Sequence, residues 1–415
     1  MGVTMPLDGV CNVEYGTRVV RKRDGGTGYT VYGGGGATFE MGEFNREDRL
    51  VVARFGMSEQ CTRFVTGKFF LNDSGLTVSP KNGSLLQRFL DYQVLALNDD
   101  IYALGKGSAQ KNLDVPTFRS LPLFVPSQVE DQRRIVGILD KAFEGIATAK
   151  ANAEENRRNT LALFQSVLNS ATTGTLTREW RGAHPHAPRV NPLLERRLAD
   201  RPGRDYPVTT RPIRIPDSWV LASPGQVSTH IVDCPHSTPK WAQSGVVCLR
   251  TTNFKPGLLD LESVRFVSET TYAERIARLK PRPGDVLYSR EGGILGIACV
   301  IPEHLTACLG QRMMLFRLDT DIALPDYFVA VLNSGLILSE VSRLVSGAAS
   351  PHLNVRDIRT FPIPLPPLDE QGEILARLTA VTAETTRLVR IYERQLTALD
   401  ALKQSLLHQA FTGNL

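Results

Sequence analysis

The chain has 415 residues, 42% hydrophobic and 22% charged, with 48 basic against 43 acidic side chains. That length holds two or more domains with their own cores. No apolar run reaches the roughly 18 residues of a membrane span, and the start MGVTMPLDGV has neither the basic nor the apolar part of a secretory signal. The six cysteines form no C-x-x-C pair, so reduced thiols and a cytoplasmic setting are expected.

From the N-terminus, GYTVYGGGG, RLVVARFG and YQVLAL read as short strands and turns, because Val, Tyr, Phe and Leu lie between Gly and Asp. The four glycines at 33–36 lack the strand-then-helix setting of a phosphate loop and read as a tight turn. From Val125 the chain runs VPSQVEDQRRIV, and from Pro364 PLPPLDEQGEIL. Aligning Gln132 with Gln371 brings Ile135 onto Ile374, Leu139 onto Leu378 and Leu163 onto Leu402, and the endings ATTGTL and AFTGNL also coincide. A single offset held over this length marks an internal repeat.

Each copy predicts one long helix. Acids occupy its first turn, Gly174 or Gly413 lies near its end, and apolar residues recur at alternating four and three. The first seam takes in Ile135, Leu139, Ile146 and Leu163, and the second Ile374, Leu378, Leu388 and Leu402. About 40 residues make a rod of roughly 60 Å. Such a stripe needs a partner, and the economical solution is that the two helices pack on each other.

Between them, residues 178–214 carry nine arginines against four acids, and six prolines lie in the connector. This suits an acidic partner or a solvated linker, with NPLLERRLADR as a short helix. Strand-like runs resume in GVVCLRTTNF, GDVLYSREGG, GIACVI and MMLFRL. RLVVARFG and DVLYSREGG look like counterparts, each an apolar run ending in Arg-x-Gly.

Chemistry-bearing motifs are few. No G-x-x-x-x-G-K-[ST], H-E-x-x-H or G-x-S-x-G occurs. HIVDCPHS gathers His230, Cys234 and His236, short of a paired metal box. No catalytic residue and no metal site is assigned.

Two diverged globular regions, each followed by a matched helix opening on an acid–Gln turn, with TGTLTREWR after the first helix, IPDSWV before the second region, and LRTTNF and GDVLYSREGG within it, resemble the specificity subunit of Type I restriction–modification systems. The first copy departs from the pattern, with Ser127-Gln128 where the second has Pro366-Pro367, and lacks an IPDSWV counterpart. The resemblance implies an α+β fold with two target recognition domains, at 1–126 and 216–366. Helices at 127–176 and 367–415 would pair as an antiparallel coiled coil, with a basic connector at 177–215. It implies a non-catalytic, DNA-binding subunit whose two domains read the halves of a split, asymmetric site in double-stranded DNA. The coil would set the spacer and dock two methyltransferase subunits, with Glu130, Gln132, Glu370 and Gln371 beside the seam. Motor–nuclease subunits would join them, and S-adenosylmethionine, ATP and Mg would belong to those partners.

Polar and cationic residues in the globular regions are the DNA-contact candidates: Arg21, Lys22, Arg23, Tyr29, Tyr32, Arg54 and Lys68 in the first, and Arg250, Thr251, Asn253, Lys255, Tyr288, Arg290, Gln311 and Arg312 in the second. Two other readings stay open. One is a coiled-coil scaffold with protein-binding globular domains; the other is an enzyme using the His230/Cys234/His236 cluster.

Overall fold

The computed structural model describes residues 2–108, 110–185, 192, 194–196, 207, 212–345 and 351–412. Most of the connector, including most of NPLLERRLADR, and the second helix's Gly413 lie outside them. The chain forms two compact units, Met1–Asn156 with Ile391–Leu415, and Arg157–Arg390.

In the first unit a six-stranded sheet runs in the order Cys11–Tyr15, Gly75–Pro80, Arg46–Ala53, Thr62–Leu71, Tyr29–Gly33, Gly36–Met41. The four glycines make the tight turn between the last two strands, with Gly36 at φ +113°, a backbone state that glycine reaches without penalty. YQVLAL, expected as a strand, lies in and at the end of the helix Gln87–Ala96. Its Phe89, Leu90 and Val94 are buried at helical spacing, and that contact with the sheet outweighs the local strand preference of Tyr and Val. Gly2–Pro6 pairs antiparallel with Pro122–Pro126, closing the unit beside the start of the first long helix.

The second unit carries two four-stranded sheets. One runs Ser228–Asp233, Met313–Leu318, Val286–Ser289, Ala298–Val300; the other Trp241–Ala242, Arg265–Val267, Val246–Leu249, Ala307–Leu309. Helices Pro325–Leu332 and Gly335–Val345 cover the first sheet's core with Phe328, Val331 and Ile337. No single described helix is long and apolar enough to cross a membrane; this pair reaches that length and apolarity only together, across a 51° bend. Leu194 of the connector is also buried in this core, so that part of the connector is packed rather than a free linker.

The long helices run Val129–Thr172 and Leu368–Phe411, 44 residues each, about 66 Å at 1.5 Å per residue. They pack antiparallel within each unit. In the first, Ile135 and Leu139 share a core with Leu407 and Ala410, and Lys150 meets Asp400 at 2.7 Å. In the second, Leu168 and Ala171 share a core with Ile374 and Leu378.

The alternating seam holds only for the first half of each helix. From Ala153 the half-buried and buried positions continue at Arg157, Thr160, Phe164, Leu168 and Ala171; from Tyr392 they continue at Leu396, Leu399, Lys403, Leu407 and Ala410. Steps of four, four and three replace the heptad at the same point in both copies. An α-helix turns every 3.6 residues, so a strict 3.5 repeat drifts around it, and an eleven-residue period brings the stripe back. Leu163 and Leu402, expected in the seam, are therefore on the surface at 65% and 46% exposure. Leu388 is half-buried, and Ile146 is buried as expected.

Candidate nucleic-acid interface

Arg54 and Arg290 occupy twin positions. Each follows a sheet strand directly, and each passes its carbonyl to a residue in the stretch ahead of a long helix, Leu113 N at 2.9 Å and Leu353 N at 2.8 Å. The Arg-x-Gly endings fit here because Gly56 and Gly292 sit at φ +61° and +89°, where a Cβ is strained.

The twins face different neighbours. Arg290 is buried, with Nε and Nη2 donating to the Asp233 carboxylate at 2.8 and 3.0 Å and Nη1 to Leu353 O at 3.2 Å. This fork ties the strand end to the chain ahead of the helix. Arg54 is half-buried. It lies over the rings of Tyr15, at 4.8 Å, and Phe55, at 4.5 Å, with Nη1 at 3.5 Å from Asp73 O. Both rings are exposed, so the guanidinium is held in plane by rings and a carbonyl rather than by a carboxylate. Cation–π contact fixes a base- or phosphate-binding Arg while leaving most of its donors available.

Around the Tyr29 end of the same sheet, Lys68 sits 4.6 Å over Phe44, and Tyr29 packs on Phe44 at 5.1 Å. Arg21 and Lys22 are exposed on a single-turn helix, where Arg23 pairs with Asp24. That pairing lowers the Asp24 carboxyl below its ordinary range, chiefly through the hydrogen bond from Arg23. Tyr32 packs edge-on to Phe69 at 5.5 Å. Its ring is half-buried.

In the second unit Arg250 donates to Ser263 O at 2.8 Å and is half-buried, as is Thr251, while Lys255 is exposed. Asn253 is wholly buried. Its side chain accepts from Arg250 N and donates to Asp260 O at 2.9 and 3.0 Å, so it shapes the loop and cannot read a base. Tyr288 is likewise at 0% exposure, packed edge-on to Phe316 and Phe361. Asn253, Tyr288 and Arg290 therefore leave the set of DNA-facing candidates: Asn253 and Arg290 spend their polar atoms on internal hydrogen bonds, and Tyr288 is enclosed with its hydroxyl unpaired among the described residues. Gln311 donates to His236 O, and Arg312 is exposed at φ +67°. Composition carried little sign of two neighbouring features. Arg265 lies 5.2 Å over the exposed ring of Trp241. Arg275 is buried and donates to four carbonyls, of Pro235, Ser237, Leu309 and Gly310.

His230, Cys234 and His236 do not converge. Cys234 is buried, with its thiol pushed up by desolvation and accepting from Met313 N; His236 meets Asp233 at 3.1 Å; His230 contacts Thr229.

The repeated acid–Gln turns are internal. Gln132 and Gln371 are both at 0% exposure. Gln132 accepts from Leu86 N at 2.8 Å and donates to Ser84 O at 2.7 Å. Gln371 accepts from Leu324 N at 2.8 Å and donates to Ile322 O at 2.9 Å. Leu86 and Leu324 open the helices Gln87–Ala96 and Pro325–Leu332, and neither has a side-chain cap of its own. Each glutamine thus pairs one otherwise orphan helix-start N–H and fastens a globular region to its long helix. Glu370 is also buried, accepting from Thr177 Oγ1 at 2.6 Å, Trp219 Nε1 at 2.8 Å and the Arg181 guanidinium. The motifs TREWR and IPDSWV meet at this carboxylate. Gln132, Glu370 and Gln371 are consumed by the chain itself, so they are not docking surface. Glu130 remains exposed, beside Arg133.

A family described as the Type I restriction modification DNA specificity domain matches residues 3–155 and 270–397. The chain is 24% identical to the Type I restriction enzyme EcoKI specificity subunit of Escherichia coli (strain K12), over 76% of this chain and 62% of that protein. It therefore spans less than two thirds of that relative. It is 22% identical to the Type I restriction enzyme EcoBI specificity subunit of Escherichia coli, over 97% of this chain and 81% of that protein. A chain from a solved structure concerning complex assembly and conformational transition of the type I R-M system shares its fold, with TM-score 0.65 and 16% identity over 100% of this chain and 98% of that one. With more than half of its length inside the family pattern, this chain belongs to the Type I restriction modification DNA specificity domain family.

Proposed function

We propose that this chain is the non-catalytic, sequence-reading subunit of a Type I restriction–modification complex in the cytoplasm. Each globular region reads one half of a split, asymmetric site in double-stranded DNA. The paired long helices set the unread spacer and recruit two methyltransferase subunits, which motor–nuclease subunits join for cleavage. S-adenosylmethionine, ATP and Mg serve those partners.

The observation that carries this reading is the duplicated frame. Two differently built regions are fastened by the same glutamine contact to the same kind of helix. The frame repeats while the surfaces it presents differ, as two heads reading different sequences require. Ring-held Arg54 and exposed Lys68 of the first region, and exposed Lys255 and Arg312 of the second, supply cations for phosphate and base-edge contacts.

Methylome sequencing of cells carrying the methyltransferase subunit with and without this chain tests it. The expected result is methylation at one bipartite motif, present only with this chain. Methylation confined to uninterrupted motifs, or unchanged by removing the chain, would overturn the reading.

A further inference from the structure

The corner that holds Arg54 in the first unit matches, residue by residue, the corner that holds Arg290 in the second. Arg54 N–H donates to Ser74 O at 2.8 Å, and Arg290 N–H donates to Arg312 O at 3.0 Å. The next residues open the strands Gly75–Pro80 and Met313–Leu318, where Tyr15 pairs with Leu76 and Asp233 with Met314. Gly16 N donates to Gly75 O and Cys234 N to Met313 O, both at 3.1 Å. One register therefore makes Ser74 the counterpart of Arg312 and Tyr15 the counterpart of Asp233.

Between these corners the chemistry is exchanged across the strands. In the first unit the strand-end Arg54 rests on the Tyr15 ring. The residue facing it, Ser74, is neutral and turned inward, its Oγ accepting from Gly34 N at 3.0 Å. In the second unit an acid replaces the ring. Asp233 draws the strand-end Arg290 into the interior, and its donors are spent there on Asp233, Glu291 and Leu353 O. The facing residue is now the arginine, Arg312. It is exposed, and among the described residues no hydrogen bond, ion pair or ring takes its guanidinium. Each corner thus keeps one available arginine, carried by opposite strands.

Arg312 is also held in a backbone state that folding alone disfavours. Its φ is +67°, left-handed backbone that a residue with a Cβ resists. The chain around it is fixed from inside. Buried Arg275 donates to Leu309 O at 2.5 Å and Gly310 O at 2.7 Å, Gln311 donates to His236 O, and Arg290 N–H holds the Arg312 carbonyl. The side chain lies across Gly292, where a Cβ would come within 3.2 Å of Nη1. A strained backbone locked by its surroundings, ending in a free planar fork, is how a fold aims a side chain at a ligand.

We infer that Arg312 is the base-reading arginine of the second region, taking the place that Arg54 holds in the first, and that it reads a guanine through paired hydrogen bonds from its fork. The inference rests on the specificity-subunit reading and names the side chain on which one half of the site depends. The Arg-x-Gly ending is common to both regions, but the arginine that reads is not.

The test uses the complex with the methyltransferase subunit, in methylome sequencing and in DNA titrations over a range of salt. Arg312→Lys keeps the charge and loses the fork. It should lower discrimination at one guanine of one half-site by about tenfold, with the other half and the salt slope unchanged. Arg54→Lys should do the same in the opposite half. Arg312→Gly suits the left-handed backbone, so it should melt no lower than wild type while losing the same base preference, which separates loss of reading from loss of fold. Uniform weakening over all sequences, an unchanged motif, or relaxation of the same half that Arg54→Lys relaxes would overturn the inference and leave the specificity reading intact. A wild-type complex that methylates no bipartite site sinks both.

Discussion

At the scale of single residues, buried polar groups separate structure from recognition. Arg290 and Arg54 share a place in the fold, but Asp233 neutralises the first and the Tyr15 and Phe55 rings hold the second. Both read as DNA candidates in the sequence because arginine looks the same in either setting. Burial decides, since a charge taken from water must be paired. Asp91 shows the cost of incomplete pairing. Desolvation beneath the helix Gln87–Ala96 pushes its carboxyl up to about 6, against a hydrogen bond from Gln87. The folded state then holds its proton more tightly than the unfolded state, whose carboxyl has the ordinary value near 4. Asp91 therefore costs no stability below pH 4, and the penalty grows as pH rises from 4 to 6. Asp91→Asn should match wild type near pH 4 and be more stable at pH 8, on the order of 2–3 kcal/mol. Thermal melts at the two pH values check this, and equal gains at both would contradict it.

At the scale of elements, Gln132 and Gln371 make the same joint twice. Removing one leaves a helix-start N–H unpaired in a dry place, a loss of about 1–3 kcal/mol. Gln371→Ala should speed amide exchange at Leu324 and leave Leu86 unchanged; Gln132→Ala should do the reverse. Hydrogen-exchange mass spectrometry reads both, and an effect spread evenly over both units would contradict a local joint. The helices themselves were legible in sequence. Apolar residues at a period near 3.6, with acids at each start, trace one face of a helix, and no strand places them on one side. Their seam was legible only in its first half. Stepping by heptads carried the expectation to Leu163 and Leu402, whereas helix geometry moved the buried stripe to Phe164 and Lys403.

At the scale of the whole molecule, two heads on a duplicated frame predict separable damage. Arg54→Ala should relax only one half of the methylated motif and weaken DNA binding of the complex by about 1–3 kcal/mol. Lys255→Ala with Arg312→Ala should affect only the other half. Methylome sequencing and binding titrations at fixed salt check both, and degeneracy in both halves from either change would contradict two separate heads. The repeat, the paired helices and the division into like frame and unlike heads are all present in the residue pattern. These are written in spacing and hydrophobic period, which are properties of the chain before it folds. The task of each polar residue is set instead by the folded packing around it. Whether Gln371, Glu370, Asn253 or Arg290 meets solvent depends on chain brought from elsewhere in the sequence. A side chain's hydrogen-bonding capacity is fixed by its type, but its partner is chosen by the packing around it.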